Sequence, residues 1–207
     1  MYSIKEIYFT LQGEGYHTGR PAVFCRFSGC NLWTGLEKDR STAICQFCDT
    51  DFWGIDGENG GKYHSKSLAS LIENQWQGDS EPFVVFTGGE PLLQLDKELI
   101  DEVHRKGFQI AVETNGTILP PDNIDWICVS PKANSKLVLE FGNEIKLVYP
   151  QKNFDPSKFE SFQFDHFFLQ PMDGKEVEKS TLECVNYCIK NPKWKLSLQT
   201  HKLMGIK

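Results

Sequence analysis

The stretch Phe83-Val84-Val85-Phe86-Thr87-Gly88-Gly89-Glu90-Pro91 passes from a fully apolar run to a polar, glycine-containing break. A short apolar run of this kind is typical of a strand buried on both faces, as in a parallel sheet. Residues 91–106 then carry leucines and a valine at helical spacing, and Gly107 is a natural stop. The stretch therefore predicts a strand, a turn and a helix in succession.

The same pattern recurs along the chain. Apolar runs at 108–112, 126–129, 145–149, 167–169 and 196–198 each end in polar residues, and residues 65–76 and 175–190 have helical spacing. Alternating strands and helices predict an α/β fold, whose polar residues gather at the carboxyl ends of the strands. A full eight-stranded barrel takes about 250 residues. We therefore predict an incomplete (β/α) barrel of roughly six parallel strands, in which residues 2–27 supply the first strand and a ligand loop at 11–15.

Length and composition limit the function classes. The 207 residues suit a single domain spanning 1–207, and the net charge of -6 argues against broad electrostatic binding to nucleic acid. No apolar run reaches the length of about 18 residues that a membrane-spanning helix needs, and residues 1–10 do not resemble a secretory signal. We expect a cytoplasmic protein that binds neither membrane nor nucleic acid directly.

The cysteines are the first indication of chemistry. Cys45 and Cys48 form a C-x-x-C pair, and fourteen residues separate Cys30 from Cys45. An odd total of seven cysteines in a reducing compartment favours metal binding over disulfides. Three thiolates without an obvious fourth partner suit a four-iron cluster with one open iron, but they also allow a zinc knuckle that braces a loop. The other four thiols read as packed side chains: Cys25, Cys128, Cys184 and Cys188.

The turn after the strand at 83–86 is the second indication. Gly88 and Gly89 allow the backbone to approach a ligand closely, and the Glu90 carboxylate can accept hydrogen bonds from an ammonium group. Alone, this turn could also be a plain connection between a strand and a helix. Combined with the three cysteines on one β/α chain, it favours a cluster that binds a cofactor.

These motifs resemble those of the radical S-adenosylmethionine (SAM) superfamily, and within it the family of 7-carboxy-7-deazaguanine synthases. The resemblance covers nearly the whole chain and rests on segments 8–15, 24–33, 45–52, 87–91, 113–116, 130–132, 170–173 and 199–202. Most of the superfamily has C-x-x-x-C-x-x-C, whereas some members of this family share the long insertion, here residues 31–44. Because the insertion is mostly polar, we expect it to form a surface excursion.

The resemblance implies a 4Fe-4S cluster on Cys30, Cys45 and Cys48 that binds SAM and generates a 5'-deoxyadenosyl radical. The radical starts the ring contraction of 6-carboxy-5,6,7,8-tetrahydropterin to 7-carboxy-7-deazaguanine, with loss of ammonia, in queuosine and deazapurine biosynthesis. It also implies Mg²⁺ at the substrate, with Thr50 as a ligand. An external electron donor such as flavodoxin, and a homodimer, are implied as well.

The resemblance assigns two further sets of residues. Those implied to contact SAM are Phe47, Cys48, Asp49, Gly89, Glu90, Ser130, Pro131, Lys132, Gln170, Pro171, Met172 and Asp173. Those implied to contact the pterin are Leu11, Gln12, Gly13, Glu14, Arg26, Thr87, His201 and the carboxylate of Lys207. A planar guanidinium suits a bidentate grip on a substrate carboxylate, although Arg26 could instead form a structural ion pair. A lone histidine such as His201 is also often structural.

Two alternatives remain open from the sequence. A related radical enzyme could activate a partner protein by making a glycyl radical, which would need an open groove for a polypeptide. A zinc or iron–sulfur binding module without catalysis is the other. The loop at 11–15 and Thr50 favour a small substrate over the first alternative.

Overall fold

The computed structural model describes all 207 residues, and its secondary structure alternates between strands and helices. The strands are β1 (Tyr2–Leu11), β2 (Pro21–Phe27), β3 (Gly61–Tyr63), β4 (Phe83–Gly88), β5 (Gln109–Thr114), β6 (Trp126–Val129), β7 (Phe141–Tyr149), β8 (Gln163–Pro171) and β9 (Trp194–Leu196). The α-helices are α1 (Ser65–Gln75), α2 (Lys97–Arg105), α3 (Val177–Lys190) and α4 (Thr200–Met204). Short 3-10 helices cover Glu37–Thr42, Pro91–Leu93 and Pro156–Phe159.

All nine strands form one sheet in the order β3-β1-β2-β4-β5-β6-β7-β8-β9. The seven neighbours from β2 to β9 in that order run parallel, and β1 pairs antiparallel with both β2 and β3. The predicted α/β class with a mostly parallel sheet is confirmed. The predicted barrel is not, because the sheet stays open with β3 and β9 as its edges.

The amino-terminal prediction is also corrected. Residues 2–27 form two antiparallel strands rather than one, joined by a loop over residues 12–20. A hydrophobic pattern shows that strands are buried but does not show how the edge of a sheet is completed, so this pairing could not be derived from it.

The predicted helix at 91–106 is divided in two. Its first part is the 3-10 turn Pro91–Leu93, and α2 begins only at Lys97. The Asp96 carboxylate accepts a hydrogen bond from the Leu99 N–H at 3.1 Å and one from the Tyr2 hydroxyl at 2.7 Å. Asp96 is therefore the N-cap of α2, and the contact with Tyr2 fixes the helix against β1.

One face of the sheet is apolar and packs against helices. Residues of α1 and α2 join β1, β2, β4 and β5 in a core of 19 buried side chains, and α3 joins β7 and β8 in a second core of ten. On β7, Ile145 and Leu147 belong to this second core, so Glu144 and Lys146 face the opposite side. We call that opposite side the inner face. None of the helices is long and apolar enough to cross a membrane.

Candidate functional site

The inner face opens into a cavity at the carboxyl ends of the parallel strands. Its volume is about 440 Å³. Its walls come from β1, β2, β4, β5, β7 and β8, from the segment after β6, and from the cysteine loop and α4. Ligands of open α/β sheets bind at this end of the strands. This cavity is therefore the candidate functional site.

The three cysteines singled out by spacing lie together in the cavity wall. Cys45 is buried, and Cys30 and Cys48 are half-buried. A hydrogen bond from the Cys45 thiol lowers the pKa of Cys48, whereas burial raises the pKa of Cys30. No three histidine, cysteine, aspartate or glutamate side chains meet around one point as a single metal ion would need. The cavity wall therefore contains three cysteine thiols, one buried and two half-buried.

The insertion at 31–44 braces the C-x-x-C segment. The Arg40 guanidinium donates to the carbonyl oxygens of Gln46 at 3.1 Å and Cys48 at 3.0 Å, and it lies 4.0 Å from the centre of the Trp33 ring. The expectation of a pure surface excursion is wrong in one respect, because Leu32 and Trp33 are buried. Their apolar side chains anchor an otherwise polar loop next to the cysteines.

The turn after β4 presents its backbone to the cavity. Thr87, Gly88 and Gly89 line the wall, and a side chain on Gly89 would collide with the carbonyl of Gly29 and with Cys30. Gly88 has a φ of 150°, in the region that favours glycine. Close packing of this turn on the cysteine loop therefore requires glycine.

Glu90 faces away from the cavity. Its side chain has no exposed surface and accepts hydrogen bonds from Leu92 N–H at 3.0 Å, Thr114 hydroxyl at 2.7 Å and Asn115 N–H at 2.7 Å. Burial raises the pKa of Glu90, against the effect of these donors. In this structure Glu90 ties the turn after β4 to the end of β5.

A network of charged and polar side chains forms the floor of the cavity. The Lys146 ammonium contacts the carboxylates of Glu14 at 2.5 Å and Glu113 at 3.4 Å. The Gln12 amide donates to Glu113 at 2.9 Å, and the Gln199 amide donates to Glu14 at 2.9 Å. The loop after β1 is thus held against β5, β7 and the carboxy-terminal residues.

The carboxy-terminal residues cross one side of the cavity. The Thr200 N–H and hydroxyl both donate to the Gly13 carbonyl, at 3.0 and 2.9 Å, and the His201 ring packs where a side chain on Gly13 would stand. Lys202 contacts both Asp49 and Asp173 at 2.6 Å. The short helix α4 thereby joins the loop after β1 to the cysteine loop and to the segment after β8.

Arg26 lies in the part of the cavity wall that β1 and β2 form. Its guanidinium donates to Glu6 at 2.9 Å and to the Tyr8 hydroxyl at 3.2 Å, and all three side chains line the cavity. The structural ion pair is therefore present, in a position that also faces the cavity. Nearby, the Thr10 hydroxyl donates to the main-chain oxygen of Lys207 at 2.9 Å.

Most of the residues named from the sequence line this one cavity. They are Leu11, Gln12, Gly13, Glu14, Arg26, Cys30, Cys45, Phe47, Cys48, Asp49, Thr50, Thr87, Gly89, Ser130, Lys132, Gln170, Pro171, Asp173, His201 and Lys207. Glu90, Pro131 and Met172 do not line it.

The cavity residues that were not assigned from the sequence include four charged or polar side chains of the floor and of α4: Glu113, Lys146, Gln199 and Lys202. Lys146 gave a usable signal, because a lysine inside the apolar run at 145–149 needs a buried partner. The long-range partners of the others depend on the fold and leave no local pattern.

The fold and the site define an α/β protein with a cavity of a size suited to small molecules at the carboxyl ends of its parallel strands. No family model matches the chain, but similar proteins specify the family. The chain is 58% identical over 208 residues to the 7-carboxy-7-deazaguanine synthase of Bradyrhizobium diazoefficiens, with 100% of this chain and 99% of the relative covered. The enzyme of that name from Bordetella pertussis is 56% identical, with 99% of both chains covered.

A solved structure agrees with the relatives. The crystal structure of QueE from Escherichia coli matches with a TM-score of 0.68 and 27% identity, over 95% of this chain and 93% of that one. The chain therefore belongs to the 7-carboxy-7-deazaguanine synthase family.

Proposed function

We propose that this chain converts 6-carboxy-5,6,7,8-tetrahydropterin to 7-carboxy-7-deazaguanine with release of ammonia, on the route to queuosine or another deazapurine. The observation that carries the proposal is the identity of 58% to a synthase of that name over the whole chain. The cavity supports it, since three thiols and a carboxylate-lined floor face one space of a size suited to small molecules.

We propose that Cys30, Cys45 and Cys48 hold a 4Fe-4S cluster in the cavity wall. Three thiols in one wall of the cavity suit a cluster, which spreads its cysteine ligands over several irons. The chemistry supplied there when SAM is also bound is one-electron cleavage of its sulfonium bond, which gives a radical that removes hydrogen from the substrate.

The chain's own residues have the task of holding SAM beside those thiols. We assign this to wall residues from four segments: Phe47 and Asp49, Gly89, Ser130 and Lys132, and Gln170 with Asp173. Glu90 acts through the turn that it fixes, because its carboxylate is already occupied by three protein donors.

The opposite side of the cavity is assigned to the pterin. The Arg26 guanidinium faces the cavity and suits the substrate carboxylate. The Glu14 carboxylate and the Gln12 amide suit the amino-pyrimidine edge, which offers N–H donors. Thr50 also faces the cavity and would give Mg²⁺ one oxygen, with the substrate and waters supplying the rest of the shell.

We further propose a cytoplasmic homodimer that takes electrons from a small donor such as flavodoxin. Seven free thiols support a reducing compartment. The homodimer and the donor rest on the family resemblance.

The test is an anaerobic assay of the reconstituted protein with reductant, SAM, Mg²⁺ and the pterin. Mass spectrometry is expected to find 7-carboxy-7-deazaguanine only when all components are present. Deoxyadenosine without the deazaguanine would overturn the substrate and reopen the glycyl-radical alternative. Failure to bind iron would overturn the cluster and favour a zinc module.

A further inference from the structure

Lys146 is an ammonium group enclosed under the floor of the cavity. The residue is 3% exposed, and its side chain extends from the inner face of β7 between two acidic side chains that line the cavity. It lies 2.5 Å from Oε2 of Glu14, which follows β1, and 3.4 Å from Oε1 of Glu113 at the end of β5. One cation thus connects two segments that are about a hundred residues apart.

The carboxylate oxygens around Lys146 accept different numbers of hydrogen bonds from the protein. Oε1 of Glu113 accepts from Gln12 and Lys146, whereas its Oε2 accepts from no protein group. Each oxygen of Glu14 has one protein donor, Lys146 or Gln199. Because a carboxylate oxygen can accept two hydrogen bonds, both side chains keep capacity for N–H donors of a ligand.

The charges around Lys146 do not balance. The groups that face it are Glu14 from the loop after β1, Glu113 from β5, Cys128 from β6 and Glu144 from β7 itself. Burial would lower the pKa of Lys146, but the charges of Glu113 and Glu14 outweigh it and raise the pKa well above its usual value. Three carboxylates around one ammonium leave the floor negative, which favours a ligand that donates hydrogen bonds.

Glu14 depends on this cation. Burial would raise the pKa of Glu14, but the Lys146 charge and hydrogen bond, helped by Gln199 and by His201 from α4, lower it. Without the ammonium, the burial effect would dominate and the carboxyl would hold a proton at a higher pH.

We propose that Lys146 is a positioning residue for the pterin, which holds Glu14 and Glu113 in place so that their carboxylate oxygens meet the N–H donors of its amino-pyrimidine edge. This inference rests on the proposed function, and it assigns the recognition of that edge to a buried cation that does not touch the reacting atoms.

The test compares Lys146→Met with Glu102→Gln in the reconstituted enzyme. Steady-state assays measure the KM of the pterin and the KM of SAM between about pH 6.5 and pH 8.5. Lys146→Met is expected to raise the pterin KM about tenfold or more at the acidic end and less at the alkaline end, because one unit of pKa is a factor of ten. The KM of SAM is expected to stay within about twofold.

The control Glu102→Gln changes a buried carboxylate that contacts a basic side chain, Arg105 of α2, and that does not line the cavity. Its amide oxygen can still accept the hydrogen bond that Arg105 donates to Glu102. Its pterin KM is expected to stay within about twofold of the unchanged enzyme at each pH.

A second variant covers the case in which Lys146→Met does not fold. Adding Glu14→Gln and Glu113→Gln to Lys146→Met removes both carboxylates that would be left without the ammonium, and the pterin KM of this triple variant should lie within about threefold of that of Glu14→Gln with Glu113→Gln alone. A further tenfold rise in the triple variant would overturn the inference, since Lys146 would not then act through the two carboxylates.

The failures are distinguishable. An unchanged enzyme that consumes no pterin at any pH overturns the proposed function. An active enzyme overturns the inference alone if Lys146→Met leaves the pterin KM and its pH profile unchanged. If Lys146→Met raised the KM of the pterin and the KM of SAM by the same factor at every pH, Lys146 would have a purely structural role, and the inference would again be overturned.

Discussion

The two ends of the inner face are built from the same strands but differ in chemistry. At the amino end, the Tyr16 ring stacks on His166 at 4.3 Å and on Trp126 at 4.9 Å. At the carboxyl end, the same strands present Ser130, Lys146 and Gln170 to the cavity. One end of the face is closed by aromatic packing, and the other is open and charged.

A single loop serves both ends. Glu14 contacts Lys146, and two residues later the Tyr16 N–H donates to Glu144, two residues earlier on β7. The loop therefore crosses the face in step with β7. The end with the aromatic stack, the aromatic end, therefore holds the loop in place. The open end, the charged end, contains the contact of Glu14 from that loop with Lys146. Buried ion pairs add little net stability, so the charged end is better explained by ligand recognition.

The largest effect is expected at the cysteines. Cys30→Ser should remove the bound iron and reduce product formation by at least about a thousandfold, because the cluster would lose one of three protein ligands. Iron content and product yield are measured after the same anaerobic reconstitution. Cys188→Ser, which changes a half-buried thiol on α3 far from the cavity wall, is the control and should keep both. Full iron and activity in Cys30→Ser would contradict the cluster assignment.

The aromatic end should show a stability effect instead. Trp126→Ala removes a ring that stacks on Tyr16 and packs against His17 at 4.4 Å. We expect the free energy of unfolding to fall by about 2–3 kcal/mol, below the range for a fully buried tryptophan because this one is half-buried. Denaturant unfolding measures it, and the exposed Leu182→Ala should change it by less than about 0.5 kcal/mol. If Trp126→Ala lost activity but kept its full free energy of unfolding, the assignment of stability to the aromatic end and of ligand recognition to the charged end would be contradicted.

A smaller effect is expected where α4 meets the cysteine loop. Lys202→Met removes the cation that contacts Asp49 and Asp173, and it should raise the KM of SAM about three- to tenfold. Both ion pairs are half-exposed, so added salt should reduce the difference in the KM of SAM between Lys202→Met and the unchanged enzyme. Lys97→Met, which loses an exposed ion pair with Asp101 on α2, is the matched control. Equal KM values in both variants would show that α4 does not organise the SAM side.

The smallest effect concerns pH at the aromatic end. Burial lowers the pKa of His17 to about 4, and its Nε2 has no hydrogen-bond partner. Between its ordinary pKa of about 6.5 and 4 the unfolded chain binds the proton and the folded chain does not, so stability falls as the pH drops through this window. The free energy of unfolding of His17→Gln should fall less steeply over the same pH range. If the stability of the two proteins, measured by urea unfolding, fell equally steeply with pH, the half-buried, neutral imidazole would be contradicted.

The sequence predicted the strands and thiols better than it predicted their connections. The runs at 83–86 and 126–129 are strands because buried parallel strands leave continuous apolar segments. The spacing of Cys30, Cys45 and Cys48 predicted one site, and the structure places all three in one wall.

What failed depends on long-range packing. The open sheet, the antiparallel β1–β2 pair and the burial of Trp33 are set by contacts between distant segments. Glu90 shows the same limit, because its side chain finds Thr114 and Asn115 only after β4 and β5 pair. A motif specifies the residue type but not the direction in which the side chain points.

A crystal structure of the reconstituted enzyme with SAM and the pterin tests the central claim most directly. SAM is expected beside Cys30, Cys45 and Cys48, and the amino-pyrimidine edge of the pterin against Glu14 and Glu113 above Lys146. A pterin bound at the aromatic end, or held at the charged end without contact to either carboxylate, would contradict it.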